Sequence, residues 1–238
     1  MTSTVLKPRA RQALEPVKTV VAQGNKGRSV IFVGIDEAGR GPVVGSMFVA
    51  AVALDSEAIE KLRRIGLKDS KKLTPKRRNA LKKMIEELAL AYTIIEVPPD
   101  VLDRTNVSQA TIDAMKEALE RILEKVKPDV VIADIVGSGK GQMEKLKEVF
   151  PIVVIEPKAD ATHLAVSAAS VLAKEAREEH IKRLKLKYGD FGSGYPSDKR
   201  TIEWLKENYD KEVVRKRWKS VQRVLRMQSK SSDRGQDL

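Results

Sequence analysis

Two runs rich in branched apolar residues, 29–35 and 43–54, stand on either side of the seven residues Asp-Glu-Ala-Gly-Arg-Gly-Pro at 36–42. Apolar runs of this length, joined through a glycine-rich turn, are the signature of buried strands, and the two together predict a hairpin at the centre of a sheet. The segment between them is unusual for such a place. Two adjacent carboxylates, Asp36 and Glu37, enter an apolar context and are followed by Gly39-Arg40-Gly41, a turn almost stripped of side chains. A chain that buries both runs must bring those acids to the rim of its core.

The rest of the chain supplies the partners of that hairpin. Pro75 opens a helical pattern through Leu90 with apolar residues at Leu81, Met84, Ile85 and Leu88; a second pattern through Val126, at Ile112, Met115, Leu119 and Ile122, has Ser108 as its expected cap. The stretches AYTIIEV, PDVVIADIV and FPIVVIEPKAD read as further short strands. From Thr162 to about Lys187 a long helix starts on small residues, Ala165, Ser167, Ala168, Ala169 and Ser170, which permit close approach to a neighbour. Strands alternating with helices after a hairpin predict an α/β fold with a mixed central sheet flanked by helices. The expected divisions are a basic, weakly structured extension at 1–28, the α/β domain at 29–188, a basic helical region at 189–226 flanking the active edge of the sheet, and a disordered tail at 227–238.

Composition narrows the chemistry. There is no cysteine and there are only two histidines, His163 and His180, which excludes disulfides, thiolate metal sites and histidine-rich metal sites. Any bound metal is therefore held by oxygen. The net charge of +12 favours a polyanionic partner, nucleic acid first among them. No apolar run approaches the length of a membrane span and the N-terminus lacks the pattern of a secretory signal, so a cytoplasmic protein is expected.

Four acids share one placement: Asp36 and Glu37 end the first expected strand, Asp134 ends VVIAD, and Asp160 ends VVIEPKAD just before a helix. In α/β sheets ligands bind at strand ends. If these ends lie side by side, the carboxylates converge in one cleft, and their repulsion demands hard divalent cations such as Mg²⁺ or Mn²⁺. Two such ions about 3.5–4 Å apart activate a water on one side of a phosphodiester and stabilise the leaving oxygen on the other. Taken singly, each acid has a plainer role: Asp36 can begin a turn, Glu37 can pair with a lysine, and Asp160 can cap the next helix. The adjacent pair is harder to dismiss. Gly39 and Gly41 let the backbone approach a ligand and offer N–H donors to a phosphate or sugar, with Arg40 as a fixed cation, although a tight hairpin also needs glycine.

The segments GIDEAGRGPVVG at 34–45, KDSKKLTP at 68–75, AVSAASVLAKEAR at 165–177 and FGSGYPSD at 191–198 resemble, in this order, the motifs of the ribonuclease HII family, the type 2 ribonucleases H; the similarity spans about residues 30–220. The resemblance implies an RNase H-like fold with a C-terminal helical part. It also implies an endonuclease that cuts the RNA of RNA–DNA hybrids and duplex DNA carrying a single ribonucleotide, 5′ of that ribonucleotide, leaving a 3′-hydroxyl and a 5′-phosphate. On this reading Asp36, Glu37, Asp134 and Asp160 are the catalytic carboxylates that hold two divalent ions. Gly39, Arg40 and Gly41 sense the ribose 2′-hydroxyl, and Tyr195 packs on the sugar at the RNA–DNA junction. Lys71, Lys174 and Arg177 match basic positions facing substrate phosphates, with a solvated basic helix face as their plain alternative. Ser46 departs from the family pattern, standing where proline is common, and so does GSGKGQ at 137–142, which leaves the role of the Gly137–Gly141 loop open.

That glycine-rich stretch is no Walker loop, because Asp134 stands where the first glycine is needed and Gly141 where Ser or Thr is needed; it reads as a flexible loop. Trp204, Tyr209 and Trp218 have helical spacing, and both tryptophans are expected in the core. Lys211, Arg215 and Lys219 are expected to line a DNA groove. No clamp-binding motif is evident, so no protein partner is expected, and a monomer is. Two rival readings stay open: a resolvase-like nuclease of the same broad fold that ignores the 2′-hydroxyl, and a noncatalytic nucleic-acid-binding protein. The second fits poorly, because uncompensated acids in a binding surface repel phosphate.

Overall fold

The computed structural model describes residues 29–67 and 75–233, so the extension at 1–28, Lys71 and residues 234–238 lie outside the described residues. Five strands form one mixed sheet: β1 (Ile31–Ala38), β2 (Met47–Asp55), β3 (Ala91–Val97), β4 (Val130–Asp134) and β5 (Val153–Glu156), in the order β3-β2-β1-β4-β5. β1 pairs antiparallel with β2 and parallel with β4, so the expected hairpin lies at the sheet centre and the carboxyl ends of β1, β4 and β5 point the same way.

Helices cover both faces. On one face α4 (Val107–Leu123) buries Ala114, Met115, Ala118, Leu119 and Ile122 against the sheet. On the other face α1 (Ser56–Ile65), α2 (Pro75–Leu88) and α7 (Leu164–Tyr188) pack together, with Leu62, Leu81, Ile85, Ala168 and Leu172 in the layer. The small residues at the start of α7 serve the expected close approach. A Cβ built on Gly34 of β1 would lie 2.0 Å from the backbone carbon of Ala165, so glycine is the residue that lets helix and strand touch here.

Several local expectations change. α1 was not anticipated, although its signals are present: Asp55 caps it, accepting from the Ala58 N–H at 2.8 Å, and Gly66 ends it at φ 87°. α3 (Pro99–Arg104) is a short helix before α4. α4 is capped by Asn106, which accepts from the Gln109 N–H at 2.8 Å, whereas Ser108 is already inside the helix. Gly139, at φ 76°, turns the chain into α5 (Lys140–Lys147), so the Gly137–Gly141 stretch is a turn and a helix start rather than a flexible loop. α6 (Ala159–Thr162) precedes α7, and α8 (Lys199–Asn208) and α9 (Lys219–Asp233) make the C-terminal helical part. α9 continues to Asp233, past the point at 227 where a tail was expected.

The C-terminal part has its own apolar cluster, in which Phe191, Leu205, Val214 and Val221 meet Val43 and Val44, with Trp204 and Trp218 packed against it. Burying one such side chain contributes roughly 1.5–3 kcal/mol. That cluster therefore anchors the chain immediately after the Gly39–Gly41 turn. Among the described residues no helix is long and apolar enough to cross a membrane.

Candidate active site

The sheet register decides where the acids sit. β1 and β4 pair as far as Ile35 and Ala133, and the next residue on each strand is an acid, Asp36 and Asp134. β1 runs on through Ala38 paired with β2, so Asp36 and Glu37 lie inside the strand rather than at its end. Alternation along a strand sends neighbouring side chains to opposite faces. Asp36, buried, turns to the α7 face and bonds the Ser170 hydroxyl. Glu37 pairs with Arg40 at 3.3 Å, and the Arg40 guanidinium reaches Ser108 at the start of α4 at 3.4 Å.

Burial and mutual repulsion set the charge of this group. Burial first, then the Glu37 carboxylate, push Asp36 up to about 7, against opposing hydrogen bonds from Ser170 and the Glu37 N–H; Asp134 adds to the rise. Burial also raises Glu37, with Arg40 opposing it and Asp134 adding to it. One oxygen of Glu37, Oε2, is buried without a hydrogen-bond partner. An all-oxygen donor set with buried, mutually repelling carboxylates and an orphaned oxygen fits a hard divalent cation. Among the described residues no three such side chains are close enough, as they stand, to share one ion. Each is turned to a protein donor instead: Asp36 to the Glu37 N–H at 2.8 Å, Glu37 to Arg40, and Asp134 to the N–H groups of Ile135 and Ala159 at 3.0 and 3.3 Å.

Asp160 corrects the sequence expectation. β5 stops at Glu156, because Pro157 has no N–H for a ladder and Lys158 takes a left-handed φ of 59°. Asp160 therefore lies in the first turn of α6, four residues beyond the strand, and the N-cap of α7 is His163. The Ala159 N–H donating to Asp134 fixes α6 beside the acidic group, and Asp160 borders a cleft with Arg63, Thr162 and His163. The His163 ring bonds Glu156 at 2.8 Å.

The glycine turn meets two further elements. Gly39, at φ +92°, has the Arg177 Cδ 3.0 Å from the place a Cβ would take, and at Gly41 that place is 3.1 Å from the Tyr195 ring. The Arg177 guanidinium lies 5.4 Å over the same ring. Gly39, Arg40, Gly41, Arg177 and Tyr195 are thus one continuous surface. Lys174 donates to the Ser170 hydroxyl at 2.7 Å, so it adjoins the partner of Asp36 instead of standing on a solvated helix face.

Sequence reasoning missed three residues that build this surface. Ser170 supports Asp36. His180 accepts the Ser46 N–H at 3.2 Å, while the Ser46 hydroxyl donates to Glu96 at 2.7 Å; Ser46 thus uses the N–H that a proline would lack. Arg215 was expected to face DNA but is fully buried, and its guanidinium donates to three backbone carbonyls, Gly39, Arg40 and Gly45, at 2.7, 3.1 and 3.0 Å. Lys219 is exposed, beside Arg217, Arg223 and Arg226 in a shallow basic cleft at the start of α9, and Lys211 is half-buried next to Asp210.

Because the Asp36 proton must leave before an ion can be bound, apparent divalent-ion affinity is expected to rise about tenfold per pH unit below 7 and to level off above it. Mg²⁺ titrations followed by calorimetry at pH 6, 7 and 8 check this; equal affinities at all three would remove Asp36 from the ion site.

The mixed five-stranded sheet, with an acidic, glycine-walled site at its strand ends, is of the RNase H-like class and suits divalent-ion phosphodiester chemistry. A family profile described as Ribonuclease HII matches residues 33–221. The Ribonuclease HII of Pyrococcus furiosus is 42% identical over 200 residues, 80% of this chain and 89% of that protein. The ribonuclease H2 from Pyrococcus horikoshii superposes with a TM-score of 0.76 at 36% identity, covering 82% of this chain and 97% of that one. The RNase HII of Archaeoglobus fulgidus, solved as a complex with PCNA, gives 0.72 at 38% identity, covering 80% and 96%. The chain belongs to the ribonuclease HII family. It is a ribonuclease H, an endonuclease acting on RNA–DNA hybrids.

Proposed function

We propose that this chain cuts the phosphodiester 5′ of a ribonucleotide embedded in duplex DNA as well as RNA tracts in hybrids, using two divalent ions, Mg²⁺ or Mn²⁺, to leave a 3′-hydroxyl and a 5′-phosphate. The observation that carries the reading is the continuity of the turn at Gly39–Gly41 with the Tyr195 ring, beside the acids Asp36, Glu37 and Asp134. A 2′-hydroxyl is the group that separates ribose from deoxyribose, and backbone N–H donors brought close by glycine are suited to it. Asp36, Glu37, Asp134 and Asp160 would hold the ions, which supply water activation and leaving-group stabilisation when bound. Lys174 and Arg177 orient the scissile phosphate, and Tyr195 excludes water from one side of the sugar. The basic C-terminal helices follow the duplex, and the enzyme works as a cytoplasmic monomer.

An end-labelled duplex with one ribonucleotide, compared with an all-DNA duplex in Mg²⁺ or in EDTA, tests the reading. A metal-dependent cut immediately 5′ of the ribonucleotide is expected, with no cut in the control. Equal cutting of both duplexes would favour the resolvase-like alternative, and binding without cutting the noncatalytic one. Tyr195→Ala is expected to lower kcat on the single-ribonucleotide duplex by about tenfold to a hundredfold with little change in affinity; unchanged kinetics would take Tyr195 out of the site. The Archaeoglobus fulgidus complex with PCNA argues against the expectation that no protein partner exists, and co-elution with PCNA on gel filtration is the corresponding measurement.

A further inference from the structure

We infer that Arg215 is a positioning residue for ribose recognition: its guanidinium holds the peptide planes of the Gly39–Gly41 turn so that the N–H groups of Arg40 and Gly41 face the substrate. This inference rests on the proposed reading of that turn. A trans peptide is planar, with its C=O and N–H pointing in opposite directions. Arg215 draws the Gly39 oxygen to 2.7 Å and the Arg40 oxygen to 3.1 Å, which turns the N–H groups of Arg40 and Gly41 away from it. A third bond, to Gly45 O at 3.0 Å, ties down the far side of the same loop.

The turn needs such a clamp. With Gly39 at φ +92° and glycine again at 41, two of its three residues have no side chain of their own, and glycine peptides reorient easily. Arginine is suited to the task because its rigid fork carries five N–H donors, whereas a lysine ammonium cannot span three carbonyls. Arg215 is itself fixed: its N–H donates to Val43 O at 2.9 Å, Val214 bridges to Val44, and the guanidinium lies 4.9 Å over the Trp218 ring. With no solvent exposure it is not placed to touch a phosphate. The C-terminal part of the chain therefore acts on ribose recognition from behind the turn.

The test compares the unaltered chain, Arg215→Lys and Val224→Ala, the last a loss of packing in the same apolar cluster away from the turn. On the single-ribonucleotide duplex Arg215→Lys is expected to lose about thirtyfold in kcat, with KM and the affinity for an all-DNA duplex within about twofold; Val224→Ala, similarly destabilised, should keep its kcat. A folded Arg215→Lys with kcat within about twofold of the unaltered chain overturns the inference, and so does an equal loss in Val224→Ala. If Arg215→Lys does not fold, the decision passes to amide order parameters of the unaltered, substrate-free chain. Values near 0.85 at Arg40 and Gly41 support the clamp, and values below about 0.6 overturn it. Failure of the unaltered chain to cut the single-ribonucleotide duplex would count against the reading of the turn, while the order parameters would still decide on the clamp.

Discussion

Asp36→Asn is expected to lose at least about a thousandfold in cleavage while binding substrate almost normally, and to be more stable than the unaltered chain when divalent ions are removed. The two effects have one cause. Asp36 is buried beside Glu37 and Asp134, and an ionised carboxylate there is unfavourable until a cation joins it. Its folded-state pKa of about 7 lies above the ordinary carboxylate value of 3.8, so the folded metal-free protein holds a proton that the unfolded chain releases. Stability of the metal-free protein should therefore fall as pH rises from about 4 to about 7 and change little above that from this group. Asparagine removes the titration and at pH 8 should add on the order of 2–4 kcal/mol. Urea unfolding in EDTA at pH 5 and pH 8, with and without Mg²⁺, reads all of this. An Asp36→Asn protein that is less stable than the unaltered chain in EDTA at pH 8, or that cleaves normally, would refute the assignment.

Gly34→Ala is expected to prevent folding to the native state, with a cost above about 4 kcal/mol. The added Cβ would sit 2.0, 2.2 and 2.3 Å from the carbon and oxygen of Ala165 and the nitrogen of Val166, all backbone atoms that cannot rotate aside. To make room, the first turn of α7 has to leave β1, which separates Ser170 from Asp36. Gly66→Ala is the useful contrast. It also changes a glycine, at φ +87°, but a Cβ there meets nothing within 4 Å, so the cost is only the left-handed conformation, about 1–2 kcal/mol. Equal denaturation midpoints for the two variants would mean that helix and strand are not locked together at Gly34.

Much of the architecture was legible because it depends on short-range periodicity. The apolar spacing at Ile112, Met115, Leu119 and Ile122 marks the face of α4 packed on the core, and within the run at 43–54 the residues from Met47 to Leu54 are the buried part of β2. One error arose where two residues two positions apart offered the same local signal. Asn106 and Ser108 both suit a helix cap, and the extended backbone at Asn106 decided between them. Asp160 looked like a strand end because the apolar run before it was read through Pro157, where the ladder stops.

The sequence by itself determined which chemistry is present: the acids at the rim of a buried sheet, the glycine turn between two strands, oxygen as the donor to any metal, and the ordered motifs of the family. These follow from residue type and local spacing, which survive in one dimension. Only the tertiary structure decided that Asp36 and Asp134 stand on neighbouring strands, that Tyr195 lies on Gly41, and that Arg215 is buried. Arg215 sits among other basic residues, and nothing local distinguishes it from its neighbours until packing removes it from water. The carbonyl that it holds most closely, that of Gly39, lies 176 residues away along the chain.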